Sequence, residues 1–156
     1  MRMLKMGPRN LADFLTLRFH EFAPAGVELD MTRSSYRAGP GAKRMDGRIA
    51  YHGEYWIGGA PGQFRGTGLS CILSRYALWQ AMEHWDPDHI IGFIAQTNAF
   101  KGFVERTGMM HTEPNAVMMC PKGSDKVING FLSYLHREDL PYLLDIPLQA
   151  ALLEAA

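Results

Sequence analysis

The stretch RIAYHGEYWIGGAPGQFRGTGLSCILSRYALWQAMEHWDPDHIIGFIA, residues 48–95, decides the fold. In its middle, Leu69, Ile72, Leu73, Tyr76, Ala77, Gln80 and Met82 recur at intervals of three and four, with no glycine or proline between them. That period predicts a helix over 69–85 with those residues as its packed stripe, ended by Asp86-Pro87-Asp88. Before the helix, Ile49, Tyr51, Tyr55, Trp56 and Ile57 are strand formers, so 48–58 is expected as a strand. Alternation along it puts His52 and Glu54 on one face and Tyr51 and Tyr55 on the other, unless Gly53 marks a bulge. After the helix, HIIGFIA at 89–95 is a short apolar run of the buried-strand kind. Strand, glycine-rich turn, long helix, strand is an α/β order.

Outward from this unit the readings are shorter. Asn10 caps an expected helix from Leu11 to near Glu21, with Asp13 in its first turn and Pro24 and Gly26 beyond its end. Residues 27–37 read as one irregular strand, and 38–47, AGPGAKRMDG, as a loop that either borders an acceptor site or is a solvated hairpin. Downstream, Asn98 or Thr97 caps an expected helix over 99–107, with Phe100, Phe103 and Val104 inward and Gly108 closing it. A strand is expected around 116–120, entered past Pro114. Ser124 then caps a predicted helix over 125–137, striped by Val127, Ile128, Phe131, Leu132 and Leu135. The tail, 140–155, reads as a strand or extended piece interrupted by Pro147, then a helical turn. The expectation is a single domain over 1–156: α/β, with a mixed central sheet flanked by helices.

The chain has 156 residues, 47% hydrophobic and 21% charged, enough apolar content for a real core. Its formal net charge is +0, which argues against a dedicated nucleic-acid binder and eases self-association, so a homodimer is open. The neutrality hides a split, with residues 1–78 at +5 and 79–156 at −5. The positive half could receive an anion, or dock on the acidic half of another copy. No apolar run approaches the 18 or so residues of a membrane span, and Asp13 and Arg18 break the one near the start, so a soluble, cytoplasmic protein is expected. Cys71 and Cys120 are expected free and buried. Six histidines form no H-x-x-x-H pair and there is no Cys-x-x-Cys, so no metal is expected.

The chemistry concentrates at Gln63, Gly66 and Gly68, a Q-x-x-G-x-G between strand and helix. Two glycines let the backbone turn tightly and approach a ligand, Arg65 adds charge, and free N–H groups at the helix start converge on an anion. The pattern is not Walker A, because Leu69 and Ser70 follow Gly68. Nor is it the dinucleotide fingerprint, because Cys71 stands where the third glycine would be. By itself this spacing would suit any glycine-rich turn before a helix.

QFRGTGLSCILSRYALWQAME resembles the acyl-CoA pyrophosphate motif of the GCN5-related N-acetyltransferase superfamily, and HIIGFIAQTNAFKGFVERTGM resembles that family's next strand and helix. The resemblance covers roughly residues 48–120. It implies an acyl-CoA N-acyltransferase fold, with acetyl-CoA or another acyl-CoA as co-substrate and a small-molecule or peptide primary amine as acceptor. It implies that Gln63, Phe64, Arg65, Gly66, Thr67, Gly68, Leu69 and Ser70 hold the pyrophosphate, and that Asn98 sits near the splayed end of the two central strands. A base often lies on the strand before the motif, which makes Glu54 the first candidate and His52 the second. The family often places a tyrosine general acid four residues before the helix-ending glycine. This chain has Val104 there, so Tyr51, Tyr55 or water would protonate the leaving thiolate, or the domain binds CoA without turnover as a regulatory or interaction module. The aromatics Tyr51, Tyr55, Trp56, Phe64, Tyr76 and Trp79 read as core or as the wall of an acyl pocket.

Overall fold

The computed structural model describes residues 1–60, 62–147, 149 and 150. Among these residues six strands form one mixed sheet: β1 (Arg2–Met3), β2 (Ser35–Tyr36), β3 (Ile49–Tyr51), β4 (His89–Ala95), β5 (His111–Met119) and β6 (Ile128–His136), ordered β1-β3-β4-β6-β5-β2. Only β3 and β4 run parallel; every other neighbouring pair is antiparallel. A parallel pair needs a long crossover, and α3 (Leu69–Trp85) supplies it. Its bounds coincide with the expected ones, and Asp86 in the left-handed conformation closes it.

The face of α3 that packs is not the expected stripe. Cys71, Ser74, Leu78 and Ala81 are buried, whereas Leu73, Tyr76 and Trp79 are exposed. Small residues at the contact let a helix lie close on a sheet, and the large ones are left to the outer side. One core layer, with Ala50, Leu78, Ile90, Val104 and Leu135, lies between the sheet and α3. The other, with Leu11, Leu15, Ile49, Ile91 and Leu132, lies under α1 (Leu11–Arg18). The Asn10 side chain caps α1 by accepting from the Asp13 N–H at 2.9 Å, and a 3-10 turn over Phe19–Phe22 finishes it.

Four expectations are corrected. Residues 38–47 are not all loop: Pro40–Arg44 form α2, whose first N–H groups, on Gly41 and Ala42, point at the buried Glu113 carboxylate. Residues 99–107 are not one helix. Gln96–Ala99 form α4 and Phe103–Arg106 form α5, parted by Gly102 at φ 72°, and Phe100 is exposed. Asn98 therefore lies inside α4 and caps nothing. Residues 125–137 hold no helix but β6, in the middle of the sheet between β4 and β5. Covered on both faces, that strand carries apolar residues without alternation, and the run imitated a helical stripe. Leu132 faces the α1 side, Leu135 the α3 side, and the buried Ser133 hydroxyl donates to Gly92 O at 3.1 Å. Finally, residues of the tail read as strand form α6 (Asp139–Asp145), while 148 and 151–156 lie outside the described residues.

β5 is longer than expected, and Pro114 is accommodated by a bulge between Glu113 and Val117, with Asn115 at φ 52°. The irregular strand expected at 27–37 contributes only the Ser35–Tyr36 edge and an isolated bridge from Leu29 to Pro121. No helix among the described residues is long and apolar enough to cross a membrane.

Candidate functional site

The site is built where β3 leaves β4. The strand expected over 48–58 ends at Tyr51; one further bond, His52 N–H to Ile91 O at 2.7 Å, closes the ladder. Gly92 explains how tight the junction is, since a Cβ there would stand 2.7 Å from His52 O. Beyond it the chain turns at Glu54, which has φ 56°, a conformation uncommon for a residue with a side chain. That turn cancels the expected alternation. His52 keeps the parity of Ala50 and lines a slot on the α3 side, whereas Glu54 is exposed at the rim. The β4 edge from Gly92 to Ala95 then has no strand partner on this side among the described residues.

Three cavities follow one another around this gap. A recess of about 240 Å³ lies at the start of α3, walled by Phe64, Arg65, Gly66, Gly68, Phe103 and Arg106. Gly66 and Gly68 have φ 75° and 69°, left-handed values that glycine takes without penalty. The Leu69 N–H reaches Thr67 Oγ1 at 3.3 Å and the Cys71 N–H reaches Gly68 O at 2.9 Å. The Gly68 and Ser70 N–H groups have no acceptor among the described residues. With the helix dipole and two guanidinium groups, the recess suits an anion.

Phe103 also walls the second cavity, a slot of about 70 Å³ between the β3 extension and β4, bordered by His52, Glu54, Tyr55 and Gly92. Glu54, Tyr55, Phe93 and Ile94 are shared in turn with the third, a bowl of about 480 Å³ on the α1 side of the sheet. Burial pulls the His52 imidazole down to about 4, with the amino group of Met1 adding to it, so the ring is neutral near pH 7. The Tyr55 hydroxyl crosses to α3, donating to Ser70 O at 2.9 Å, and its ring meets Phe103 edge-on at 6.1 Å. Burial pushes its phenol up.

Of the residues expected to hold pyrophosphate, Phe64, Arg65, Gly66, Gly68 and Ser70 wall the recess. Gln63 and Thr67 serve the turn: Gln63 Oε1 accepts from Ala60 N–H at 2.9 Å, and the Thr67 hydroxyl donates to Phe64 O at 2.8 Å. Leu69 opens the helix, and Asn98 is exposed on α4, bordering none of these cavities. Val104 is buried in the α3-side core, far from presenting a hydroxyl. Sequence reasoning missed Arg106, 38 residues beyond Gly68 and brought to the motif by the packing of α5 against α3. Of the aromatics expected as core or as a pocket wall, Tyr51, Tyr55 and Trp56 do line the bowl, but its other walls, from separated segments, were not foreseen. The loop suspected of bordering an acceptor site instead packs as α2 against α1.

Both cysteines are free and buried. At the opposite end of β4, His89 and His136 approach Nδ1 to Nδ1 at 2.7 Å, and His111 Nε2 pairs with Asp139 at 2.9 Å. No group of three or more His, Cys, Asp or Glu side chains among the described residues is arranged to hold a metal ion.

Fold and site together define an α/β protein whose mixed sheet parts between β3 and β4, beside the glycine-rich start of α3. No protein-family model, curated protein or solved structure matches the chain.

Proposed function

We propose that the chain is an N-acyltransferase that moves an acyl group, most simply acetyl, from acyl-CoA to a primary amine. The observation that carries this reading is the succession of recess, slot and bowl, each sharing a wall with the next, across the gap between β3 and β4. A coenzyme with a pyrophosphate at one end and a thioester at the other fits that order. The pyrophosphate would meet the Gly68 and Ser70 amides with Arg65 and Arg106 beside them. The amides of the pantetheine arm would bond to the unpartnered edge of β4, as an added strand does. The thioester carbonyl then reaches the slot next to Glu54 and Tyr55.

There the amine nitrogen attacks the carbonyl carbon, the C–S bond breaks, and sulfur leaves with the electron pair. Glu54, at the rim, takes the proton that the amine gives up. His52 is a poorer base because its burial disfavours the protonated ring. The Tyr55 hydroxyl, already donating at the start of α3, can give its proton to the thiolate, a role that Val104 cannot fill. Holding both substrates in the gap supplies much of the remaining rate.

A second reading, a CoA-binding regulatory or interaction domain without turnover, is favoured by one observation, the burial of Val104 in the core. Calorimetric titration with acetyl-CoA followed by a thiol-release assay over an amine panel separates the two. Binding with release supports the transferase; binding without release supports the second reading; no binding overturns both.

A further inference from the structure

Resting on the acyltransferase reading, we infer that the acceptor is an apolar primary amine, an alkyl- or arylalkylamine whose body fills the bowl while its nitrogen stands at Glu54. The bowl is the largest of the three cavities, at about 480 Å³, within the range of small-molecule sites. An acetyl group contributes only a carbonyl and a methyl and leaves nearly all of it empty. Its walls are mostly apolar, Phe22, Trp56, Phe93, Val117, Met119 and Ile128 among them, and Tyr51 and Tyr55 add hydroxyls but no charge. Among the described residues Glu54 is the one charged side chain that lines it, and it also lines the slot where the thioester arrives. A carboxylate at the mouth of an apolar bowl matches a cation carrying an apolar body.

Two further observations agree. Arg2 already places its guanidinium 5.1 Å from the Phe22 ring centre and 5.6 Å from that of Tyr51, so the aromatics beside Glu54 accept a cation. Trp56 lines the bowl yet is 84% exposed, so a ligand body has an indole to cover. The reaction balances: the ammonium loses one proton to reach the nucleophilic amine and a second as the amide forms. One of the two ends on the departing sulfur, giving amide, coenzyme A thiol and one released proton.

The test uses the whole chain and three readouts. Tryptophan emission is titrated with phenethylamine, hexylamine and ethanolamine in the absence of coenzyme, with Trp56→Phe as the control for the reporter. Thiol release from acetyl-CoA is measured for the same amines. Coenzyme A and octanoyl-CoA affinities are measured by calorimetry. We expect the two apolar amines to change the emission, the change to vanish in Trp56→Phe, and their kcat/KM to exceed that of ethanolamine at least tenfold. Ala23→Phe, which fills part of the bowl from the α1 side, away from the β4 edge and the α3 recess, should erase that preference while leaving coenzyme A affinity within twofold. Coenzyme A binding with ethanolamine used as well as hexylamine would overturn the inference and leave the transferase reading standing. Octanoyl-CoA binding much more tightly than acetyl-CoA, with no amine effect on Trp56, would assign the bowl to the acyl chain and also overturn it. Apolar amines that bind without any coenzyme A binding would overturn the transferase reading itself.

Discussion

Replacing Gly92 with alanine tests the junction on which the site depends. The new Cβ would stand 2.7 Å from His52 O, whereas ordinary contact begins at 3.4 Å, so β3 must withdraw from β4 by about 0.7 Å. The neighbouring bond, His52 N–H to Ile91 O, is 2.7 Å long and would stretch beyond good hydrogen-bond geometry. Overpacking costs about 1–3 kcal/mol, and a weakened buried bond about 0.5–1.5 kcal/mol more. Against these, alanine restricts the unfolded chain and returns about 0.4–1 kcal/mol. The net loss is about 0.5–4 kcal/mol, which lowers a urea midpoint by roughly 0.3–2 M at a slope of about 2 kcal/mol/M. Urea unfolding followed by circular dichroism, with an unchanged slope, is the assay. Gly66→Ala is the control: nothing stands within 4 Å of its Cβ position, so only the cost of the left-handed backbone, about 1 kcal/mol, applies. A Gly92→Ala midpoint equal to the parent's would refute the close approach of the two strands, and with it the geometry of the slot.

Gly68→Val should weaken coenzyme A binding well over tenfold by calorimetry, because a branched side chain at φ 69° strains the turn and intrudes on the recess. Arg65→Ala, at an exposed position, should cost no more than about fivefold, and Arg106→Ala, half-buried against the same recess, more than Arg65→Ala. Glu54→Gln should lower the turnover number about tenfold to a thousandfold with acyl-CoA affinity nearly unchanged; an unaltered rate would mean that the amine arrives already neutral. His52 makes stability depend on pH. Its folded-state value of about 4 lies below the ordinary 6.5, so the unfolded chain binds more protons between those values, and stability is lost as pH falls from 6.5 to 4. The loss amounts to about 3 kcal/mol. Denaturation curves at pH 7 and pH 4 should show His52→Gln to be less pH-sensitive than the parent by about that amount.

The local unit was legible in the sequence because its determinants are local. The Asn10 cap, the helix over Leu69–Trp85 with its Asp86 stop and the apolar strand His89–Ala95 each depend on neighbours within a few residues. So does the glycine turn at Gly66 and Gly68, whose left-handed backbone follows from the absence of a side chain. What the sequence could not settle is which surface each element finds. Residues 128–136 carry apolar spacing compatible with helix or strand, and only insertion between β4 and β5, which satisfies both edges and covers both faces, makes them strand. The stripe on α3 was assigned by hydrophobicity, but the sheet selected the smaller residues Cys71, Ser74 and Ala81 for close approach. Glu54 and His52 both border the slot, but it is the turn at Glu54, not strand alternation, that puts Glu54 at its exposed rim. Arg106 joined Arg65 at the recess, and the walls of the bowl met, through contacts between segments far apart in the chain. Backbone preferences are written residue by residue, whereas a cavity is the shape left between elements after they pack, and only the tertiary structure decides that.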